Sequence, residues 1–180
     1  MTRRLEPTLQ KLAASQLEFL RAADSISAAD WQQPPVTGGW SAAELVAHLC
    51  QVERDVLAYA DRVIRKTPLT MPLFRRFHFP LRIVESRLVR RKAPSPPNPA
   101  ALREKEAMIA ELRGVRERTL AFLEETSQRD LGEYFWRHPF LGQLSFYDWF
   151  AFLAAHQFRH RKQLLEIAKN LPKDVASSQK

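Results

Sequence analysis

Hydrophobic residues recur at helical spacing in four separate segments of the chain. Spacings of three and four residues place such side chains on one face of a helix. The pattern predicts helices over about residues 6–23, 41–66, 100–125 and 145–169. The residues assigned to the four apolar stripes include Leu12 and Leu17, then Leu49, Val56 and Tyr59, then Leu112 and Leu123, and finally Leu153 and Leu164.

The segments between these helices differ in length and composition. Ser41 and Glu44 form a Ser-x-x-Glu capping box, which predicts where the second helix begins. Residues 67–99 form a long connection with a proline-rich end that cannot be helical throughout, and residues 127–144 are expected to be a loop. A long second connection fits an all-α four-helix bundle with a crossover between helices 2 and 3, so that helices 2 and 4 run antiparallel.

Composition narrows the class of protein without naming a function. The 180 residues, 45% of them hydrophobic, are expected to form a single domain over 1–180, and five glycines are too few for a turn-rich all-β chain. The single cysteine, Cys50, excludes an intramolecular disulfide framework and fits a reducing cytosol. Because no membrane span or secretory signal is recognisable, the expected location is cytoplasmic.

Histidines occupy core positions where leucine is expected. His156 and His160 lie one helical turn apart on the apolar stripe of the fourth helix, and His48 lies on the apolar side of the second. If these helices are antiparallel, the three rings meet at similar depth. Buried imidazoles without partners would cost several kcal/mol, at about 1–3 kcal/mol each.

Two interpretations of these histidines remain open. A divalent metal ion would compensate for the cost of burial, and three histidines suit zinc, nickel or ferrous iron while leaving a coordination position for water or substrate. In the alternative, the histidines are half-buried and bond to backbone or neighbouring acids. The pattern alone weighs these two interpretations about equally.

The chain resembles the DinB superfamily in three places. These are the segment from Trp40 to Leu49, the segment from His138 to Ser145, and the segment from His156 to Gln163. The resemblance spans nearly the whole chain, and the superfamily includes metal-dependent hydrolases and thiol-dependent transferases. It implies a four-helix bundle with a crossover, a divalent metal ion on His48, His156 and His160, and a homodimer.

The leading hypothesis is therefore a metal-dependent thiol S-transferase or hydrolase that acts on a small molecule. Its partner would be a small-molecule substrate, including a low-molecular-weight thiol in the transferase case. The alternative is a non-catalytic metal-binding or stress-response bundle, with a basic nucleic-acid-binding bundle as a weaker option. No general base, and no catalytic residue beyond the three metal ligands, is assigned.

Several residues near the histidines have both a functional and a structural interpretation. Gln163 either supports His160 or is a polar edge, and Glu53 either orients a ring or forms a surface salt bridge; the second interpretation is favoured for both. Cys50 is expected to be a small buried hydrophobe and His138 to be structural.

Positive charge raises the question of a nucleic-acid or lipid partner. The formal net charge is +8, and the segment from Phe74 to Arg82 mixes cations with aromatic residues. The favoured interpretation is an amphipathic crossover that packs on the bundle, so neither a nucleic acid nor a membrane is the expected partner.

Overall fold

Helices dominate the computed structural model, which describes residues 5–68, 81–85 and 99–172. The prediction of a mostly helical chain is confirmed. The described helices are α1 (Leu5–Ala23), α2 (Ala42–Val63), the short α3 (Leu81–Glu85), α4 (Lys105–Glu125) and α5 (Phe146–Lys169).

Serine caps fix the starts of the two helices that carry the histidines. The Ser41 hydroxyl accepts a hydrogen bond from the backbone N–H of Glu44 at 3.2 Å, and the Glu44 carboxylate accepts one from the Ser41 N–H at 2.8 Å. The predicted capping box is therefore present and places His48 in the second turn of α2. Ser145 also caps α5, because its hydroxyl accepts a hydrogen bond from the N–H of Asp148 at 3.3 Å.

A small antiparallel sheet lies between α4 and α5. Strand β1 (Phe135–His138) pairs with β2 (Gly142–Ser145), so that His138 lies opposite Gly142. Gly142 has a φ of 80°, which a glycine adopts without steric cost. The prediction of a loop over 127–144 is wrong for these strands, because four residues are too few to give a clear alternating pattern.

The start of α4 also differs from the prediction. A helix was expected from about residue 100, but Pro99–Ala101 forms one 3-10 turn and α4 begins at Lys105. The residues between them are not helical, and the backbone N–H of Arg103 lies 3.4 Å from the sulfur of Met108. Glu104 then accepts the first helical bond, from the N–H of Met108.

In the part of the chain that the structure describes, two hydrophobic clusters make up the core. The first joins the N-terminal half of α1, the C-terminal half of α2, the end of α4, the hairpin and the start of α5. The second joins the other half of each long helix and the loop before α2. The start of α2 therefore shares a cluster with the end of α5, so these helices run in opposite directions, whereas α2 and α4 run in the same direction.

A polar layer lies between the two clusters. Each long helix contributes a buried polar residue to this layer, at the position where the helix passes from one cluster to the other. These residues are Ser15 in α1, Glu53 in α2, Arg116 in α4 and Gln157 in α5.

Two residues assigned to the apolar stripes lie on the surface instead. Leu17 is 51% exposed and Tyr59 is 42% exposed. The buried face of α1 follows Thr8, Leu12 and Ser15, which is rotated away from Leu17. Because a polar residue lies on the core face, a stripe predicted from the apolar residues alone is rotated toward the surface.

No helix within the described residues is long and apolar enough to cross a membrane. The basic and aromatic segment from Phe74 lies outside the described residues up to position 80; α3 follows it and packs Leu81 and Val84 against the first hydrophobic cluster. The lysine Nζ of Lys162 donates to the carbonyl of Glu85 at 3.0 Å, which ties α3 to α5.

Candidate metal centre

Three histidines from two antiparallel helices converge on one point. His48 comes from α2, and His156 and His160 come from successive turns of α5. The His156 Nε2 atom lies 3.4 Å from His48 Nε2 and 3.0 Å from His160 Nε2. The three ligand atoms all lie within 4.8 Å of one another, and among the described residues this group could hold a metal ion.

Hydrogen bonds alone do not account for this arrangement. An imidazole nitrogen carries either one N–H or one lone pair in the ring plane. His156 Nε2 therefore has one directional bond to offer, yet it faces the Nε2 atoms of both neighbours. Three nitrogens directed at a shared point leave at least one of these contacts without a well-aligned proton.

The spacing of the nitrogens suits coordination to one ion. Zinc–imidazole bonds are about 2.0–2.1 Å, so two nitrogens on one tetrahedral ion are about 3.3–3.4 Å apart, and about 2.9 Å apart at a right angle. The Nε2–Nε2 separations of 3.4 and 3.0 Å are close to these values. The residues present therefore fit a divalent ion, and three protein ligands leave room for a further one.

Gln163 orients one of the rings. Its Oε1 atom lies 3.0 Å from His160 Nδ1. If Nδ1 carries the proton and donates it to Gln163, the lone pair of Nε2 is left for the ion. Of the two interpretations of Gln163, this contact supports a partner of His160 and not a polar edge.

Aromatic rings hold the cluster from two sides. The Trp40 ring lies 5.0 Å from the His48 ring, and Phe152 stacks on His156 with centroids 5.2 Å apart. His48 and His160 are buried, whereas His156 is partly exposed.

Burial favours the neutral form of two of these histidines, His48 and His156. It lowers the pKa of His48 from 6.5 to about 4. The pKa of His156 is lowered well below 6.5, first by burial and then by the neighbouring His160 and His48 rings. Neutral imidazole is the form that binds a metal ion, so His48 and His156 keep a lone pair available below neutral pH.

The other residues singled out in the sequence have structural partners. Glu53 does form a salt bridge, but it is buried with Arg116 and not on the surface as expected. Burial raises the pKa of the Cys50 thiol to about 11, so this residue is an inert thiol at neutral pH. His138 Nδ1 accepts hydrogen bonds from the N–H groups of Phe140 and Leu141, at 3.0 and 3.2 Å, and shapes the hairpin turn.

The polar layer beside the histidines was not predicted from the sequence. Arg116, Ser15 and Gln157 bond to one another, and Arg116 also bonds to Glu53. The signal was available, since Arg116 lies four residues after Leu112 and seven before Leu123, on the apolar stripe of α4. A charged residue at a leucine position is the same anomaly that identified the histidines.

Comparison with known proteins gives one family and one relative. The sequence model of the DinB superfamily matches residues 11–164, which is more than half of the chain and includes all three histidines. The uncharacterized protein YuaE of Bacillus subtilis (strain 168) is 27% identical over 158 residues, covering 87% of this chain and 94% of that protein. No solved structure matches the chain.

Proposed function

Because the chain belongs to the DinB superfamily, we propose that it is a metal-dependent enzyme of the thiol S-transferase or hydrolase type. The site would hold zinc, nickel or ferrous iron on His48, His156 and His160. The observation that carries the proposal is the convergence of three Nε2 atoms, with His156 facing both neighbours. A divalent ion held there would act as a Lewis acid that lowers the pKa of a coordinated water or thiol.

The nucleophile is proposed to come from the coordination position and not from a side chain. Among the candidates described above, Cys50 is a buried thiol with a pKa of about 11. Both Glu53 oxygens bond to Arg116, and His138 Nδ1 is taken by two backbone N–H groups. These three residues therefore have structural roles. A water or thiol bound beside His156 is the remaining source of a nucleophile.

Positive charge favours an anionic small molecule as substrate or thiol. The formal net charge of the chain is +8. The Arg159 guanidinium is close enough to His156 to contribute to the lowering of its pKa. A low-molecular-weight thiol that carries carboxylates would be attracted by this field.

The helix directions support a four-helix bundle in which a long crossover joins α2 to α4. We further propose that the protein is cytoplasmic and forms a homodimer, as the resemblance to the family implies. Size-exclusion chromatography with light scattering measures the oligomeric state. A mass of one chain at micromolar concentration would contradict the dimer.

Turnover by the metal-loaded protein tests the enzyme proposal. Protein reconstituted with zinc, nickel or ferrous iron is incubated with an aromatic halide and bacillithiol, mycothiol or glutathione, and in parallel with activated esters and amides. Turnover that needs thiol indicates a transferase, and turnover without thiol indicates a hydrolase; His156→Ala should abolish either. His138→Asn is the matched control, since it replaces a buried histidine outside the cluster. Bound metal without turnover would favour the non-catalytic bundle.

A further inference from the structure

One arginine side chain connects all four long helices. Arg116 projects from α4, and its Nε and Nη2 atoms donate to the two carboxylate oxygens of Glu53 on α2, at 2.6 and 2.9 Å. Its Nη2 also donates to Gln157 Oε1 on α5 at 3.1 Å. On α1, its Nη1 donates to the Leu12 carbonyl at 2.5 Å and to the Ser15 hydroxyl at 3.4 Å.

These contacts use the full donor capacity of the side chain. A guanidinium has five N–H donors in a rigid plane, and five contacts are present here. The Ser15 hydroxyl in turn lies 2.8 Å from Gln157 Oε1. Within the described residues, the buried Gln157 Nε2 is the atom of this network that lacks a partner. The network therefore fixes the positions of α1, α2 and α5 relative to α4.

The network is close to the metal ligands along both helices that carry them. Gln157 follows His156 directly on α5, and Glu53 lies five residues after His48 on α2, a rise of about 7.5 Å. Arg116 thus bridges α2 and α5 within one and a half turns of the point where the three histidines meet.

Stability alone is a weak reason for such a buried ion pair. Arg116 is 2% exposed and Glu53 is 3% exposed, so both charges lose their hydration on folding. Replacing a buried ion pair by apolar residues is often neutral or stabilising. Apolar packing, however, leaves helices free to shift along one another, whereas paired and bidentate polar groups require one alignment.

A shared metal ion needs such an alignment. The ligands come from two helices, and coordination distances tolerate deviations of about 0.2 Å. We propose that Glu53, Arg116 and Gln157 are positioning residues that hold α2 against α5 at the spacing where His48 meets His156 and His160. This inference rests on the proposed metal site, because the ion is what requires the alignment.

Metal affinity measured apart from stability tests the proposal. The double variant Glu53→Leu/Arg116→Met removes the ion pair and keeps the volume apolar. Its zinc Kd, measured by competition with a chelating dye, should rise tenfold or more, while its unfolding midpoint in EDTA stays at or above that of the parent. The d–d absorption of the cobalt-loaded double variant should shift away from that of the parent, which reports a changed ligand geometry.

Thr119→Val is the matched control. Thr119 is fully buried on α4, three residues from Arg116, and its hydroxyl bonds within its own helix, to the Val115 carbonyl at 3.2 Å. Within the described residues its hydroxyl bonds to no other helix, so its replacement should leave the zinc Kd and the cobalt spectrum unchanged.

A second variant keeps the proposal open to refutation if the double variant fails to fold. Gln157→Met removes only the link from Arg116 to α5, and its zinc Kd should rise severalfold. A zinc Kd within twofold of the parent in a folded variant would overturn the positioning role alone. A parent protein that binds no metal would overturn the positioning role together with the proposed function.

Discussion

Acid should destabilise the metal-free protein through His138. This histidine is buried, and its Nδ1 accepts from two backbone N–H groups in the hairpin turn. Protonation would place a donor where an acceptor is needed and a charge where water is excluded. Burial accordingly lowers its pKa from 6.5 to about 4. The perturbation is His138→Asn, which keeps an acceptor oxygen near the Nδ1 position and removes the titration.

The size and sign of this effect follow from proton linkage. Between pH 6.5 and about pH 4 the unfolded chain binds a proton at His138 and the folded chain does not, so stability falls as the pH falls. A difference of about 2.5 pKa units at about 1.36 kcal/mol each gives roughly 3 kcal/mol by pH 4. By pH 5, where most carboxylates are still ionised, the loss from this residue is about 2 kcal/mol.

Urea unfolding in EDTA, followed by tryptophan fluorescence, measures this loss. The free energy of unfolding is compared between parent and His138→Asn at pH 7.5 and pH 5. The other histidines and the carboxylates contribute to the pH dependence of the free energy of unfolding in both proteins, so their contributions largely cancel in the difference. From pH 7.5 to pH 5, the free energy of unfolding of the parent should fall by about 2 kcal/mol more than that of His138→Asn. Two parallel pH profiles would refute the buried, neutral His138 that the structure describes.

Three further predictions concern the cap, the ligand support and the ion. Ser41→Ala removes the capping box at the start of α2 and should lower the free energy of unfolding by about 1 kcal/mol in urea titrations; an unchanged value would contradict the cap. Gln163→Leu removes the partner of His160 and should weaken zinc binding by about 10–100-fold without lowering stability in EDTA, measured by dye competition; an unchanged zinc Kd would count against this support. Zinc at a thousand times its Kd should raise the free energy of unfolding by about 4 kcal/mol in the parent and by nothing in His156→Ala; an equal rise in both would place the ion elsewhere.

The helices and the histidine cluster were predictable because both depend on local periodicity. His156 and His160 share a helix face by their spacing alone, and Ser41 with Glu44 specifies a cap through residues three apart. The meeting of His48 with them depends on helix direction, which the long second connection indicated. The two short strands were not predicted, because a hairpin of four-residue strands is stabilised by its pairing and by contacts that the sequence does not state.

The polar layer shows where stripe-based prediction fails. On α2 the buried positions follow Leu49, Glu53, Val56 and Ala60, whereas the predicted stripe passed through Tyr59. A charged side chain on the core face makes the apolar pattern appear rotated toward the surface. Whether such a residue is buried depends on a partner from a distant part of the chain, here Arg116, and that pairing is a property of the folded state.

Metal content tests the central claim most directly. The parent and His156→Ala are purified without a nickel column, and bound metals are quantified by elemental mass spectrometry, with His138→Asn as the control. We expect about one divalent ion per chain in the parent and the control, and near none in His156→Ala. Absence of metal from the parent, even after reconstitution with zinc, nickel and ferrous iron, would contradict the account and leave the three histidines as core packing.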